Sequence, residues 1–504
     1  MTTTQKIQKR LNDSKAARWS ALIIVSFTMM MAYFFTDVMG PLEAPLTTKG
    51  KLVYFDNGTY LSADSLMKVS TTAIASEDEI TVGNEYTINN AGNEETVKVD
   101  STINGLGWGS DDYGVFSGAY GYINVFLLML FFGGIILDKM GVRFTGLMST
   151  ALMFAGAAIK WYAVNSTFTG EIVGLPTQVA VACLGFAIYG MGCEIAGITV
   201  TKVIAKWFTG HELALAMGLQ VALARVGTAC ALFLALPVAQ YFGIVSAPVM
   251  IGASALCIGM LSYIVYCVMD KKLDASATTA EGVTESEEEQ FKMSDLKLIF
   301  CNKGFWLITL LCLMFYSAVF PFLKFATNLM IIKYNVSPGV AGMIPGLLPF
   351  GTILLTPLFG SMYDKMGKGA TLMLIGSTLL TIVHVLFALP VMNIWWFAVI
   401  VMILLGIAFS LVPSAMWPSV PKIIPMKQLG SAYAIIFYIQ NIGLSMVPVL
   451  IGNVIQSCTS NGTTDYTLPM AIFAGFGVIA VIISLLLLKA DKKYNYGLEQ
   501  KNEK

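Results

Sequence analysis

The chain has 504 residues, 56% of them hydrophobic and only 12% Asp, Glu, Lys or Arg, against roughly a quarter charged in an ordinary soluble domain. This excludes a soluble multidomain enzyme, because a water-covered surface on so long a chain needs far more charge; lipid is the solvent for most of it. Lys plus Arg and Asp plus Glu number 31 each, so net charge points to no nucleic-acid partner, and the information lies in where the charges sit.

Lys6, Lys9, Arg10, Lys15 and Arg18 precede the first apolar stretch, and no small-residue cleavage site follows it. The segment therefore reads as a retained first helix rather than a removed signal peptide. Apolar runs of about 20 residues, the length that crosses a bilayer, fall near 19–40, 114–137, 145–163, 178–203, 212–240, 248–269, 305–331, 339–362, 370–390, 394–421, 429–456 and 468–488. Twelve such spans put both termini on one side. Most Lys and Arg fall in the segments on that side, which predicts cytoplasmic termini.

Two segments depart from short loops. Residues 41–113 form an outer insertion with 12 acidic residues against 4 lysines. Lys51–Ser62 around Asn57-Gly58 predicts a hairpin, and Thr81-Val82, Gly83-Asn84 and Tyr86 to Ile88 predict a second, together a small β-rich cap. Residues 270–303 run through Ala, Thr and Ser into Glu285-Ser-Glu-Glu-Glu289 and then Phe291–Phe300 with spaced apolar residues. This predicts a cytoplasmic linker ending in an interfacial amphipathic helix. The expected organisation is a six-helix unit over 1–269, the linker 270–303 and a second six-helix unit over 304–504.

Eight cysteines are scattered, seven of them in or beside apolar spans, so neither a disulfide framework nor a CxxC metal site is expected, and helix packing is their predicted role. Asn57, Asn165 and Asn461 open Asn-x-Ser/Thr triplets, all on the outer side of this topology. No cofactor or metal is expected.

The loop after span 2 reads Gly134-Ile-Ile-Leu-Asp138-Lys139-Met140-Gly141-Val142-Arg143, and that after span 8 reads Gly360-Ser-Met-Tyr-Asp364-Lys365-Met366-Gly367-Lys368-Gly369. The Gly at the start permits close helix approach, the Asp offers an anion to a neighbouring helix N-terminus or basic side chain, and the later Gly and cations suit a tight turn at the lipid surface. Two copies between the second and third spans of each half resemble the signature of the major facilitator superfamily. That resemblance implies an all-α membrane protein with two six-helix bundles, a substrate site between them near mid-membrane, and alternating access. It also implies that Asp138 and Asp364, with Gly134, Arg143, Gly360 and Lys365, act in gating rather than in substrate binding.

Charges inside spans are costly unless they face a cavity or a partner, which makes them functional candidates. Glu194, in Tyr189-Gly-Met-Gly-Cys-Glu194-Ile-Ala-Gly197, lies roughly 14 Å from the inner end of span 4 at the rise of an α-helix. Arg225, in Gly218-Leu-Gln-Val-Ala-Leu-Ala-Arg225-Val-Gly227, lies roughly 20 Å from the inner end of span 5 by the same rise. The alternative to a ligand site is a buried Glu194–Arg225 ion pair that ties the two helices together. Lys324 in span 7 either faces the cavity as a second cation or snorkels outward, as Lys333 and Lys160-Trp161 are expected to do. Asp37, at the outer end of span 1, is open in the same way, between the cavity and a capping or interfacial role.

A carboxylate and a guanidinium at separate points suit a ligand with an ammonium and a carboxylate, since Arg binds carboxylate through two parallel hydrogen bonds. Tyr120, Tyr122, Trp417, Gln440 and Asn441 are candidate walls between the charged ends. A sugar would call for mostly uncharged donors, and an inorganic anion would use Arg without an obligatory Glu.

Trp207-Phe-Thr-Gly-His-Glu-Leu-Ala-Leu-Ala-Met-Gly-Leu-Gln-Val-Ala-Leu-Ala-Arg225-Val-Gly227, Ala318-Val-Phe-Pro-Phe322, Met416-Trp417-Pro418, Gln428-Leu-Gly-Ser-Ala-Tyr433 and Ile439-Gln440-Asn441-Ile-Gly443 resemble the animal lysosomal dipeptide transporter family, the type-1 major facilitator domain-containing proteins. The resemblance implies facilitated dipeptide transport, with Glu194 taking the peptide amine and Arg225 its carboxylate. The outer insertion stands outside that resemblance, and no acidic dileucine signal lies near the N-terminus. The expected location is therefore the plasma or inner membrane, as of a bacterial cell.

The leading expectation is a transporter of dipeptides or similar zwitterions, working as a uniporter or coupled to protons through Glu194. One alternative is an organic-anion or drug carrier using Arg225 and Lys324 for negative charge, with Glu194 taking a proton. The other is a non-transporting receptor or scaffold acting through the insertion 41–113, where an accessory protein would also bind. An enzyme is not expected: His211-Glu212 lacks the second His of a zinc helix, the chain has only 2 His, and no P-loop, nucleophile elbow or dinucleotide fingerprint is present.

Overall fold

The computed structural model describes residues 11–90, 93–208, 212–278, 299–390, 392–425, 429–460 and 463–501. The long helices before the linker are α1 (Lys15–Asp37), α4 (Met129–Asn165), α5 (Thr177–Phe208), α6 (Leu213–Phe242) and α7 (Ser246–Thr278). Between α1 and α4 come the short helices α2 (Ser110–Gly118) and α3 (Tyr122–Phe126). After the linker come α8 (Lys303–Tyr334), α9 (Met343–Met366), α10 (Gly369–Ala388), α11 (Trp395–Ile423), α12 (Leu429–Cys458) and α13 (Thr467–Tyr494). Within α4 the backbone breaks at Gly141, φ 76°, so the element is two helices joined at the turn of the first loop motif. Gly367, φ 67°, makes the matching turn after α9. Only glycine takes such angles without strain, which explains the late Gly in both copies.

Eleven helices among the described residues are long and apolar enough to cross a membrane. The expected second span, 114–137, is the one that differs: it comes in pieces, α2, a 3-10 turn over Ala119–Gly121, α3, and the first part of α4 after Leu128, φ 53°. The cause is close packing on α12. A Cβ on Gly114 would lie 2.9 Å from the Gly452 Cα, one on Gly121 would lie 3.3 Å from the Asn441 carbonyl oxygen, and one on Gly118 would collide with the Ser445 carbonyl. Small residues that bring backbones together in this way do not favour a regular helix. Replacing Gly452 with valine is expected to cost about 1–3 kcal/mol through overpacking and to lower the melting temperature in detergent; an unchanged melting curve would refute this packing account.

The helices before the linker pack mainly on one another, as do those after it. The two halves meet at one end, where α2 and α3 pack on α12, α6 on α9, and α8 on the turn Gly40–Leu42 that follows α1. This is the end that carries the cap. A Cβ on Gly342 would strike the Leu232 carbonyl and one on Gly346 the Phe233 ring, so the α6–α9 contact is also backbone-close. At the opposite end, which carries the two chain termini, no extended packing among the described residues joins α5 to α11 or α12.

The cap is a four-stranded antiparallel sheet in the order β2 (Tyr60–Ser62), β1 (Lys49–Phe55), β4 (Asn93–Leu106), β3 (Glu85–Asn90). The first hairpin forms as expected, turning at Asn57-Gly58 with Gly58 at φ 80°. The second differs. Thr81–Asn84 forms a turn, closed by Asn84 N–H donating to the Thr81 carbonyl, and only Tyr86 to Ile88 lies in a strand, paired with β4 from Thr96 and Val97 to Glu95. Gly83, φ 92°, favours the turn over a strand. Val53, Phe55, Leu66, Ile80, Tyr86 and Val97 give the cap its own small core. The cap also reaches the other half, with the Tyr60 hydroxyl donating to Asn328 Oδ1 at 3.2 Å.

Helix α7 runs on to Thr278, past the start expected for the linker. Most of the expected amphipathic helix Phe291–Phe300 lies outside the described residues.

Candidate functional site

Glu194 sits on α5 among glycines, and those glycines position it. A Cβ on Gly190 would collide with the Tyr120 backbone, so the 3-10 turn after α2 lies directly on α5. From there the Tyr120 hydroxyl donates to Glu194 Oε1 at 2.8 Å. The carboxylate is half-buried.

Arg225 is held differently. A Cβ on Gly227 would strike the Met30 carbonyl, so α6 lies tight on α1 and the guanidinium comes over Tyr33 of α1, 5.8 Å from the ring centre. Two rings of the other half complete a cage, Phe320 of α8 at 5.6 Å and Phe409 of α11 at 5.5 Å. Among the described residues Arg225 makes no hydrogen bond or ion pair, and the Glu194–Arg225 salt bridge considered from the sequence is absent. Aromatic faces compensate a desolvated cation by about 2 kcal/mol, less than a carboxylate fork provides.

The half after the linker contributes an aromatic wall. Phe320 and Phe409 pack edge to face at 5.4 Å, Tyr316 joins Phe409 at 5.8 Å, and Trp417 stacks on Phe437 at 5.0 Å. Trp417 Nε1 donates to the Tyr316 hydroxyl at 3.2 Å, and Gln440 Oε1 accepts from the Cys312 thiol at 3.4 Å. Trp417 and Gln440 thus belong to this wall. Tyr122 and Asn441 lie instead in the joint between the short helices and α12: Tyr122 donates to the Val115 carbonyl at 3.1 Å, and buried Asn441 donates to the Phe437 carbonyl at 3.0 Å.

Lys324 is neither a free cavity cation nor a snorkelling one. Its ammonium pairs with Asp37 Oδ1 at 2.6 Å and donates to the Thr36 carbonyl at 2.9 Å, joining α8 to the end of α1. Asp37 accepts from Thr228 at 2.9 Å through its other oxygen, so it is an ion-pair partner rather than a cap or an interfacial charge. Lys160 also departs from expectation. It is 0% exposed, and its ammonium lies 4.2 Å from the Phe186 ring centre and 4.4 Å from that of Phe35. Lys333 donates to the Phe387 and Leu389 carbonyls at the cap end, as its expected outward reach requires.

In the loop motifs, Arg143 pairs with Asp274 at 3.1 Å and lies 3.7 Å from Asp270. Gly134 and Gly360 do not serve close approach here: a Cβ on either would meet nothing within 4 Å, because the terminus end stands apart. The side chain of Asp138 lies outside the described residues. Asp364 and Lys365 occupy the last turn of α9.

The sequence reading missed the acid that organises the terminus end. Asp270 is fully buried and receives Lys206 at 2.9 Å, the Trp207 indole at 3.2 Å and the Tyr266 hydroxyl at 3.1 Å. A signal was present: Asp270-Lys271-Lys272 lies near the end of α7 as Asp491-Lys492-Lys493 does near that of α13. Asp491 accepts from the Leu498 and Glu499 backbone at 2.9 and 3.2 Å. Farther out, exposed Glu212 accepts from Arg18 at 3.0 Å. A hydrogen bond to its own backbone N–H, and then the Arg18 guanidinium, hold its carboxyl below the usual range.

A family model described as Major Facilitator Superfamily matches residues 96–448 and, separately, 325–504. The chain belongs to the major facilitator superfamily. It is accordingly a multi-pass membrane protein of the major facilitator fold, with eleven helices among the described residues long and apolar enough to cross a membrane. This facilitator is 25% identical to the human lysosomal dipeptide transporter MFSD1 over 395 residues, which cover 76% of this chain and 80% of that one. It is 28% identical to the chicken protein of the same name over 283 residues, covering 54% and 62%. Among solved structures, a peptide transporter POT in complex with sulfate superposes with a TM-score of 0.63 at 12% identity, covering 96% of each chain. The nucleoside transporter NupG superposes with a TM-score of 0.63 at 14% identity, covering 94% of this chain and 99% of its own.

Proposed function

We propose that this protein carries dipeptides or closely similar zwitterions across a membrane by alternating access, with Arg225 binding the carboxylate and Glu194 the ammonium. The observation that carries the reading is Arg225: a mid-span guanidinium whose compensation is aromatic and which keeps its hydrogen-bonding fork unused. A substrate carboxylate satisfies that fork bidentately. Glu194, tied to Tyr120 through one oxygen, has its second oxygen for an ammonium. The names borne by the MFSD1 relatives favour the same substrate class.

The concentration of basic residues at the terminus end supports a cytoplasmic placement of that end, with the cap outside. In this orientation the structure corresponds to the inward-facing state, closed under the cap. The organic-anion reading needs Lys324 free in the cavity, and its pairing with Asp37 weighs against it.

Uptake of a plain dipeptide into proteoliposomes is to be compared with the same peptide acetylated at its amine or amidated at its carboxylate. Each block removes one charge and is expected to abolish uptake. Equal transport of all three would overturn the two-point reading.

A further inference from the structure

The segment between α1 and the cap makes the turn Gly40–Leu42 and one short helix, Glu43–Thr47. Glu43 is 1% exposed, and neither carboxyl oxygen makes a well-formed hydrogen bond. Both halves and the cap surround it. Tyr60 of β2, Tyr113 of α2 and Tyr466 before α13 lie within reach of its field, and the Asn328 amide of α8 approaches it.

None of these groups supplies a compensating charge. The Tyr60 hydroxyl is used on Asn328, and that of Tyr113 on the Met39 and Lys324 carbonyls. The buried hydroxyls of Tyr54, which packs on Tyr60 with rings 5.7 Å apart, and of Tyr466 make no hydrogen bond. Burial, with Glu43 adding to it, pushes the Tyr60 and Tyr466 phenols well up, so they stay neutral. The charged groups nearest on the same elements are engaged elsewhere, Lys324 with Asp37 at 2.6 Å, Lys333 with the Phe387 and Leu389 carbonyls, Asp112 with the Gly109 N–H at 3.0 Å, and Asp465 with the Thr467 N–H at 2.8 Å, while Asp111 is half-exposed. Strand β4 carries no titratable side chain from Ser101 to Leu106. An ionised carboxylate buried without partners costs several kcal/mol, whereas a carboxylic acid does not carry that penalty.

We propose that Glu43 is a proton-binding site of the cap-end gate, carrying a proton while the halves are closed and releasing it to water when they part. Asn328 and Tyr466 belong to the second half, so its departure uncovers the carboxyl. The proposal rests on the alternating-access reading above. Its sign follows from linkage: the closed state binds the proton more tightly, so acid favours closure. Above the value of a water-exposed glutamate, near 4.3, the open-to-closed ratio rises by up to tenfold per pH unit for one proton.

The test is a distance measurement between spin labels carried by noncanonical residues at positions 173 and 392. These are Val173 and Met392, exposed loop residues at the cap end of opposite halves. In the full-length protein between pH 5 and 8, the open fraction is expected to rise with pH in the parent, to stay low and flat in Glu43→Gln, and to rise again with pH in Glu43→Asp. A pH response that survives in Glu43→Gln, or a flat parent profile, overturns the proposal. Should Glu43→Gln fail to elute as a folded species, the parent and Glu43→Asp profiles decide: a flat profile in either overturns it, and a rise in both supports it. Distances that respond to dipeptide but not to pH sink the Glu43 assignment alone; distances that respond to neither sink alternating access as well.

Discussion

Arg225→Ala is expected to lower dipeptide uptake by roughly 30- to 700-fold, the effect of about 2–4 kcal/mol when one partner of a buried charge-assisted pair is removed. Folding should change little, because the guanidinium gives up cation–π contacts rather than a salt bridge, about 2 kcal/mol at most. Arg225→Lys keeps the charge and loses the planar fork, so its uptake should fall between alanine and the parent. Glu194→Gln preserves the acceptor for Tyr120 while removing the negative charge that an ammonium needs. Initial rates in proteoliposomes, with melting temperatures alongside, check the series. Parental rates in both Arg225→Ala and Glu194→Gln would remove these residues from the site, and a collapse of melting temperature in Arg225→Ala would mean that its role is structural.

The second large effect is expected at the cap-end pair of Asp37 and Lys324, 2.6 Å apart and each mostly buried. Removing one partner strands the other charge, which costs about 3–5 kcal/mol. Lys324→Met leaves Asp37 with only Thr228, and Asp37→Asn leaves Lys324 with only the Thr36 carbonyl. Both losses fall on the closed state, because the ion pair joins the two halves, so each single variant should shift the population toward cap-end opening by roughly 100-fold or more. The double variant strands no charge and should recover much of the shift. The same label pair at 173 and 392 reads this out. Singles and double displaced equally, or none displaced, would show that the pair does not hold the gate.

The loop motifs were legible in the sequence because their constraints are local. A glycine at positive φ and flanking cations fix a tight turn whatever surrounds it, and both Gly141 and Gly367 adopt it. The first cap hairpin was legible for the same reason, through Asn57-Gly58. The broken second span was not. Its residues are apolar enough for a continuous helix, and the break comes from the approach of Gly114, Gly118 and Gly121 to α12, hundreds of residues away. The second hairpin failed likewise, since Thr81–Asn84 turns in order to meet β4.

Composition determined a membrane protein, the linker and the repeated loop motif marked its two halves, and the apolar spans singled out Glu194 and Arg225, because a charge in a span is costly wherever the helix packs. Which charges pair is a matter of distance between helices, and that only the tertiary structure decided. It left Arg225 in a cage of rings from both halves, tied Lys324 to Asp37, buried Lys160 among aromatic rings, and gathered Lys206 and Arg143 around Asp270. It also placed Glu43, one of twelve acids in an outer insertion, where the cap and both halves close over it without a compensating charge. Sequence reports the cost of a buried charge; the fold alone reports what compensates it.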